Sequence, residues 1–307
     1  MIIIGQKYKF TSLEIKEIES KFGSIDCIDR MDKEIYEIID EVKVYLGDKP
    51  KCMVVLNIPK ILFETVSLEL KKLDTELEIV SIALFLNIHL QKCYLGDMYI
   101  QNHIVESIEG FNGFNYFLKR AIDFVGVALI AFFSMPVMLY SIYRISKESP
   151  DGGVIYSQKR IGLDDKEFTC YKFRSMGVDA EGDTPQFASK DDKRTFPWGE
   201  VMRKTRFDEL PQMWNVIRGD MHLIGPRPER KYWVDKFEKV IPYYRKRHTV
   251  RPGITGWAQV KYPYGENEED AKHKLSYDLY YIKRWSFFFE FIVVWKTIFV
   301  VIGKRGL

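Results

Sequence analysis

The residues best suited to chemistry lie in one stretch, Arg203 to Pro228, with the sequence RKTRFDELPQMWNVIRGDMHLIGPRP. Within it an acidic pair, Asp208 and Glu209, is predicted to open a short helix, whose apolar face would be formed by Leu210, Met213, Trp214 and Ile217 and which would end at Gly219. Arginines flank the pair on both sides, among them Arg203 and Arg227. Carboxylates that can hold a divalent cation, set among guanidinium groups and a helix N-terminus, are well suited to bind phosphate.

A purely structural interpretation of Asp208 competes with the chemical one. Aspartate is a frequent N-cap, because its carboxylate accepts hydrogen bonds from the free backbone N–H groups at the start of a helix. Judged on this residue alone, the cap is the better supported interpretation. The surrounding chain has to decide between the two.

The composition narrows the class of protein. A length of 307 residues with 46% hydrophobic residues is enough for two domains with their own cores. The formal charge is only +3, and positive residues alternate with acidic ones along most of the chain, so nucleic acid is not an expected partner. The four cysteines form no C-x-x-C pair, which indicates reduced thiols in a cytosolic compartment.

Residues 1–112 are predicted to form a small α/β accessory domain. Thr11 to Glu14 has the spacing of a capping box, and the helix that it opens should end at Gly23. Cys52–Ile58 and Leu77–Ile82 are short apolar runs typical of buried strands, with helical stretches before and between them. This alternation predicts a small parallel sheet covered by helices. The region has no Gly-rich phosphate-binding motif, so we expect a structural, regulatory or oligomerising role.

Residues 113–146 are predicted to be a linker followed by a membrane helix. The linker is Gly110–Phe117. The segment that follows, Ala121–Ile145, is almost uncharged. A straight helix from Ala121 to Tyr143 would be roughly 34 Å long, enough to cross a hydrocarbon core of about 30 Å. Pro136 interrupts it, because a proline in a helix removes a hydrogen bond and bends the axis. A kinked span and a helix-break-helix that returns to the same side are both open, and so is a buried core helix. Basic residues flank the segment symmetrically, which suits two ends on the cytoplasmic face.

Residues 147–307 are predicted to form a second, helix-rich α/β domain. Tyr171–Met176 alternates like a strand and places Lys172 and Arg174 on one face, either as ligand contacts or as a solvated edge. Arg251–Trp257 is rich in turn residues and is predicted to be a rigid loop. Trp285–Ile302 is apolar with aromatic and basic borders, which fits an interfacial amphipathic helix nearly as well as a core helix.

Taken together, these segments resemble a known family. The motifs KRAIDFVGVALIAFFSMP, YKFRSM, RKTRFDELPQMWNVIRGDMHLIGPRP, RHTVRPGITGWAQV and YDLYYIKRWS occur in this order over roughly residues 116–307. The combination resembles the monotopic bacterial phosphoglycosyl transferases, which start the assembly of lipid-linked glycans and exopolysaccharides.

The resemblance implies transfer of sugar-1-phosphate from a UDP-sugar to a polyprenyl phosphate, usually undecaprenyl phosphate, with release of UMP. It implies a Mg²⁺ cofactor and a two-step mechanism through a covalent phosphosugar-aspartyl intermediate. It also implies a re-entrant membrane helix, which would make the protein monotopic in the cytoplasmic (inner) membrane, in contact with membrane lipid, with its soluble parts facing the cytosol.

Individual residues can be matched to the family motifs. Asp208 matches the nucleophile and Glu209 its dyad partner, and both are candidate metal ligands. Pro136 matches the helix-breaking proline, although Ser134 and Pro136 are separated here by Met135, whereas some members have serine directly before proline. On chemical grounds Arg203 and Arg227 would clamp phosphate oxygens, a task that arginine performs better than lysine. Further candidate contacts to the nucleotide, phosphate or sugar are Lys172, Arg174, Arg251, Gln259 and Asp278.

Two alternatives of other classes remain at this stage. One is a non-enzymatic scaffold or receptor that spans the membrane once, with domains on opposite faces. The other is a soluble nucleotide-sugar enzyme whose apolar segment is a core helix. The added amino-terminal domain offers extra interface, so a homodimer is a reasonable expectation. The sugar cannot be read from the sequence, because pocket geometry decides it.

Overall fold

The computed structural model describes residues 1–29, 33–47, 51–73, 76–96, 103–178, 194–262, 265 and 267–302. The chain divides into two compact units, Met1–Tyr94 and Leu95–Leu307. The sequence pattern had placed this boundary later, at residue 112.

The first unit is an α/β fold built on one parallel sheet, as predicted. Its four strands lie in the order β2-β1-β3-β4 and are all parallel. The strands are β1 Ile2–Ile4, β2 Asp26–Ile28, β3 Lys51–Leu56 and β4 Glu76–Ser81. The helices are α1 Ser12–Phe22, α2 Ile35–Leu46, α3 Lys60–Lys71 and α4 Ile82–Phe85, which continues as a π-helical turn, Leu86–Leu90.

Strand β3 shows why both faces of this sheet need helices. Val54 and Val55 are neighbours in the strand and point to opposite faces, and each is fully buried in a different apolar cluster. One cluster includes Ile38 of α2 and the other Ile18 of α1. The sheet is therefore buried on both sides, as expected for parallel strands.

Local signals at the helix ends of this unit were read correctly. Thr11 accepts a hydrogen bond from the backbone N–H of Glu14, whose side chain returns to the Thr11 backbone, and the helix ends at Gly23. Strands β1 and β2 were not predicted, because three-residue strands are too short to show a period.

The second unit is rich in helices and contains two small sheets. Its strands are β5 Ile155–Ile161, β6 Glu167–Phe173, β7 His222–Ile224 and β8 Gly253–Thr255. β5 and β6 form an antiparallel hairpin, and β7 and β8 pair in parallel. The helices are α5 His103–Glu106, α6 Gly113–Glu148, α7 Pro197–Thr205, α8 Gln212–Arg218, α9 Lys231–Glu238, α10 Trp257–Lys261, α11 Glu268–Arg284 and α12 Phe287–Ile302. The segment predicted as a rigid loop, Arg251–Trp257, instead contains strand β8 and the start of α10.

Helix α6 is the apolar segment found in the sequence, and it is longer than predicted. It begins at Gly113, so the predicted linker Gly110–Phe117 is wrong from that residue onward. Tertiary contacts explain the extension, because Tyr116 in the first turn packs against the ring of His222 and beneath Arg251. The helix continues through Pro136 without ending. Ser134 lies in the same stretch, and its Oγ is buried without a hydrogen-bond partner among the described residues.

Helix α6 is the one helix in the described part of the chain that is long and apolar enough to cross a membrane. Only 11% of its most apolar 18-residue stretch is buried, and the side chains of Phe132 and Phe133 are more than 70% exposed. The helix is therefore not a core helix. Both of its ends nevertheless contact the same unit. Near the start, Gly126 lies against Leu223 of β7, and near the other end Ser141 accepts a hydrogen bond from the indole of Trp198 in α7.

Helix α12 also exposes a wide apolar surface. Phe288, Phe291, Trp295 and Phe299 are each more than half exposed, whereas Phe289, Glu290 and Val293 on the opposite face are buried. The buried side of α12 is joined to α6 by an ion pair of 2.8 Å between Glu290 and Lys119. An exposed aromatic face on an anchored helix favours the interfacial interpretation of Trp285–Ile302 over a core helix.

Candidate active site

The acidic pair lies between two helices, not at the first turn of either. Arg206 ends α7 in the left-handed region, with φ 61°, and the chain then forms a 3-10 turn over Phe207–Glu209. Helix α8 begins only at Gln212, with Pro211 at its N-cap position. The prediction that the pair opens this helix is therefore wrong by one turn.

This placement also excludes the cap interpretation of Asp208. No side chain caps α8, and the buried Oδ1 of Asp208 has no hydrogen-bond partner within the described ranges. The helix stop was predicted correctly, since Gly219 closes α8 in the left-handed conformation. Trp214 and Ile217, predicted for the apolar inner face of the helix, are instead about half exposed.

Glu209 is the electrostatic centre of the site. Its Oε1 lies 2.8 Å from Nζ of Lys172 and 2.8 Å from Nη2 of Arg227, with Nη1 of Arg206 at 3.5 Å. Burial alone would raise the pKa of Glu209, but Arg227, Lys172 and Arg206 together hold it well below its ordinary value. The charge of Glu209 in turn raises the pKa of Arg227. Glu209 is therefore ionised at any physiological pH.

Asp208 has the opposite environment, although it is the adjacent residue. Its side chain is also buried, at 7% exposure, but no described cation lies within ion-pair distance of it. Burial raises its pKa, Lys172 and Arg206 lower it, and the negative charge of Glu209 adds to the rise. Among the described residues Asp208 thus has no ion-pair partner, because the nearby cations are paired with Glu209. Burial without a partner raises the free energy of its ionised form.

Lys172 is held in place because its strand, β6, is bonded to helix α8. Asn215 of α8 is fully buried; its Oδ1 accepts a hydrogen bond from the Tyr171 backbone N–H, and its Nδ2 donates to the Thr169 carbonyl. The side chain therefore replaces a missing strand neighbour of β6 and ties that strand to α8. As a result Lys172 is positioned next to Glu209 by an amide that sequence reasoning did not identify.

Arg203 and Arg174, two other predicted contacts, differ from Lys172 in the groups that they contact. Arg203 lies on the last turn of α7, close enough to Arg206 to lower its pKa, and has no ion-pair partner among the described residues. Arg174 shares a strand face with Lys172, but its Nε donates to the Gly153 carbonyl at 2.7 Å. The structure thus brings Lys172, but not Arg174, to the acidic pair.

Arg251 and Gln259 lie near β8. Arg251 donates to the Gly219 carbonyl and lies over the Tyr116 ring, where it lines a cavity of about 290 Å³ together with His222. Gln259 donates to the Ile254 carbonyl at 3.2 Å, and its Oε1 is buried without a partner in the described part of the chain.

Asp278, the remaining predicted contact, forms a buried ion pair. Its Oδ2 lies 2.8 Å from Nη2 of Arg247, and burial raises its pKa to about 6 in spite of that partner. The same Arg247 nitrogen donates to the backbone carbonyl of Arg227 at 2.9 Å. Asp278 therefore supports the loop that carries Arg227, one step behind the acidic pair.

Sequence reasoning missed the roles of Arg206 and Arg247. Arg206 lies within the central stretch, but it reaches Glu209 only because its own backbone is left-handed, a conformation that sequence does not predict for arginine. Arg247 stands in a motif already noticed, and its burial at 5% exposure is the feature that was not visible.

The donor set is consistent with Mg²⁺ only if a substrate contributes ligands. No group of three or more His, Cys, Asp or Glu residues suited to a metal occurs among the residues that the structure describes. Magnesium is commonly held by one or two carboxylates together with substrate phosphates and water. The orphaned Oδ1 of Asp208, beside Glu209, fits that kind of shared site.

Comparison with known proteins shows the family to which this chain belongs. A family profile described as bacterial sugar transferase matches residues 114–304, so the chain belongs to the bacterial sugar transferase family. The matched region holds all but the first residue of α6, the acidic pair and the cations around it, and it confirms the resemblance seen in the motifs.

Several relatives are similar to this chain over about three fifths of its length. A UDP-N-acetylgalactosamine-undecaprenyl-phosphate N-acetylgalactosaminephosphotransferase from Aeromonas hydrophila is 44% identical over 190 residues, 62% of this chain and 45% of that protein. A UDP-glucose:undecaprenyl-phosphate glucose-1-phosphate transferase from Xanthomonas campestris pv. campestris is 41% identical over 196 residues, 62% of this chain and 40% of that protein. One of the same name from Caulobacter vibrioides is 36% identical over 182 residues, 59% of this chain and 68% of that protein. The chain thus spans less than half the length of the first two relatives.

Proposed function

We propose that this protein is a phosphoglycosyl transferase that moves sugar-1-phosphate from a UDP-sugar to a polyprenyl phosphate and releases UMP. The observation that carries the proposal is the contrast within the acidic pair: Glu209 is bound by cations, while no described residue bonds to the buried Oδ1 of Asp208. The names of the relatives support a UDP-sugar donor and undecaprenyl phosphate as acceptor. The reaction would be the first membrane step in the assembly of a glycan or exopolysaccharide.

The unpartnered carboxylate is suited to nucleophilic attack. An Asp208 oxygen attacks the β-phosphorus of the donor, and the bond from that phosphorus to the bridging oxygen breaks, so UMP leaves with the electron pair. The sugar phosphate is then joined to Asp208 as an acyl phosphate. A phosphate oxygen of the polyprenyl phosphate attacks the same phosphorus, which breaks the acyl phosphate and restores the carboxylate.

The cations beside the pair answer the main need of this chemistry. Phosphoryl transfer depends chiefly on positioning and on neutralising charge at the phosphate oxygens. Lys172, Arg206 and Arg227 are already gathered around Glu209, and Arg203, one turn before Arg206, has no ion-pair partner in the described part of the chain. Glu209 holds these cations in place, so that they do not form a direct ion pair with the nucleophile.

A magnesium ion is part of this proposal. Asp208 and Glu209 are the residues that would hold it, and it would supply positive charge that offsets the negative charge of the donor's diphosphate.

Helix α6 supports a monotopic placement in the cytoplasmic membrane. Val127 and Ser141 are both buried against the same unit, yet about 21 Å of helix separates them, less than the roughly 30 Å of a hydrocarbon core. If α6 crossed the bilayer once, the contacts at Val127 and Ser141 would require parts of the same unit on both sides of it. We therefore favour a shallow course with both ends on the cytosolic side, and the re-entrant bend at Pro136 remains a prediction.

This placement has a chemical reason. The acceptor's phosphate lies at headgroup depth while its chain lies in lipid. A site held at that depth by α6 and the exposed aromatic face of α12 can reach the phosphate without drawing the lipid into water.

The proposal is tested by incubating the purified protein with undecaprenyl phosphate, Mg²⁺ and a panel of UDP-sugars while measuring UMP. We expect sustained UMP release from at least one sugar, and any UMP beyond one per protein molecule should require the acceptor, because the donor alone can load Asp208 only once. The absence of UMP with every sugar, from protein whose folding is verified, would contradict the proposal.

A further inference from the structure

Helix α11 presents three charged residues one turn apart on a single face: Asp270, Lys274 and Asp278. The two acids are held by neighbours, Asp270 by the Tyr262 hydroxyl at 2.7 Å and Asp278 by Arg247 at 2.8 Å. Lys274, between them, has no hydrogen bond or ion pair through its side chain to any residue in the described ranges.

The surroundings of Lys274 make this lack of a partner costly. The backbone of Gly265 lies so close that a Cβ there would fall 2.3 Å from the Lys274 ammonium nitrogen. Burial lowers the pKa of Lys274; Glu229 and Asp270 raise it, while Arg227 and Arg247 lower it. Lys274 is partly buried, two arginines act on its charge, and no carboxylate in the described ranges contacts its ammonium, so an anion bound there would stabilise it.

Arg227 connects this place to the acidic pair. Its guanidinium is 2.8 Å from Glu209, its backbone carbonyl accepts a hydrogen bond from Arg247, and its charge acts on both Asp208 and Lys274. Contacts therefore link the face of α11 that carries Lys274 to the acidic pair, through Asp278, Arg247 and Arg227.

We propose that Lys274 is a phosphate-binding residue of the donor site, whose ammonium contacts the phosphate that departs as UMP. This inference rests on the proposed function. A nucleoside diphosphate sugar places two phosphates side by side. With the β-phosphate at Asp208, the second phosphate is assigned to the Arg227 side of the pair, towards Lys274, which has no ion-pair partner in the described part of the chain. A lysine there neutralises the charge that builds up on the leaving phosphate.

The test compares Lys274→Met with Lys283→Met, which removes an exposed lysine from the same helix. We expect Lys274→Met to lower kcat/KM for the UDP-sugar by roughly ten- to a hundred-fold and to weaken inhibition by UMP similarly, as for loss of a charged hydrogen bond. The KM for undecaprenyl phosphate should not change, and Lys283→Met should behave as wild type. An unchanged donor kcat/KM, or a loss confined to the acceptor, would overturn the assignment.

Thermal unfolding separates binding from a structural role. Because Lys274→Met removes an unpaired charge, the free variant should unfold at the same or a higher temperature than wild type, and added UMP should raise its Tm less. A lower Tm together with an unchanged response to UMP would show that Lys274 only supports the fold. If wild type releases no UMP from any sugar, the proposed function itself fails; if wild type is active and Lys274→Met equals it, only this inference fails.

Discussion

Asp208 and Glu209 are consecutive residues with opposite electrostatic environments. Glu209 is in ion-pair contact with Lys172, Arg206 and Arg227, whereas Asp208 is buried with an unpartnered oxygen. The 3-10 turn produces this contrast, because it directs one carboxylate into the cation cluster and leaves the other beside it. The division of roles between a free nucleophile and a charge-organising partner follows from this arrangement.

The first prediction concerns the pair itself. Asp208→Asn should abolish UMP release, because the amide cannot form the acyl phosphate, whereas Glu209→Gln should leave a trace of activity, because the nucleophile remains. UMP release with a competent UDP-sugar measures both. Wild-type turnover by Asp208→Asn would show that the assigned mechanism is wrong.

The second prediction uses two cations on one strand face. Lys172→Met should reduce kcat/KM roughly ten- to a hundred-fold, because Glu209 loses a 2.8 Å partner and the site loses a positive charge. Arg174→Met is the matched control, since its guanidinium contacts the Gly153 carbonyl and not the acidic pair. Equal losses in the two variants would argue that Arg174 binds substrate after all, as the sequence pattern allowed.

The third prediction concerns stability and pH. His222 is 1% exposed and contacts Asp123, and burial lowers its pKa from 6.5 to about 4. The folded state therefore keeps this imidazole neutral while the unfolded chain binds a proton below pH 6.5. The free energy of unfolding should then fall as the pH drops from 6.5 towards 4, by about 3 kcal/mol from this group.

Thermal unfolding of detergent-solubilised wild type and His222→Asn across this pH range measures that effect. The variant should be less stable at pH 7.5 but lose less stability on acidification, so the two curves converge. Asp278, with its pKa raised to about 6, and His248, with its pKa lowered to about 4, titrate in both proteins and cancel in the comparison. Parallel curves would mean that His222 is not held neutral.

The fourth prediction concerns the course of α6. Single cysteines at Phe114 and Lys147, both exposed and near opposite ends of the helix, are introduced after Cys27 and Cys52 are replaced by serine. In intact spheroplasts a membrane-impermeant maleimide should label neither position, and after lysis it should label both. Labelling of one end in intact spheroplasts would instead support a single-span helix with its ends on opposite faces.

The elements that the sequence predicted well are those whose signals are local. The capping box at Thr11, the helix stop at Gly219 and the long apolar run of α6 each depend on a few neighbouring residues, and all three are present. The acidic pair was also located correctly as the centre of the site, because basic residues surround it in the chain.

What the sequence could not show depends on contacts between distant segments. The sequence pattern allowed Asp208 to be a helix cap, because periodicity does not distinguish a 3-10 turn from the first turn of an α-helix. In the structure Asp208 lies in that 3-10 turn, and α8 begins only after Pro211. Lys172 and Arg174 looked equivalent, and only Asn215 and Gly153, far apart in sequence, separate them. The missing hydrogen-bond partner of the Asp208 oxygen has no sequence signal of any kind.

The most direct test of the central claim is the mass of the protein after reaction with its donor alone. With a competent UDP-sugar, Mg²⁺ and no polyprenyl phosphate, intact-mass and peptide analysis should find one sugar phosphate attached at Asp208, lost on adding undecaprenyl phosphate and absent from Asp208→Asn. An active protein that never acquires this adduct, or acquires it at another residue, would contradict the account.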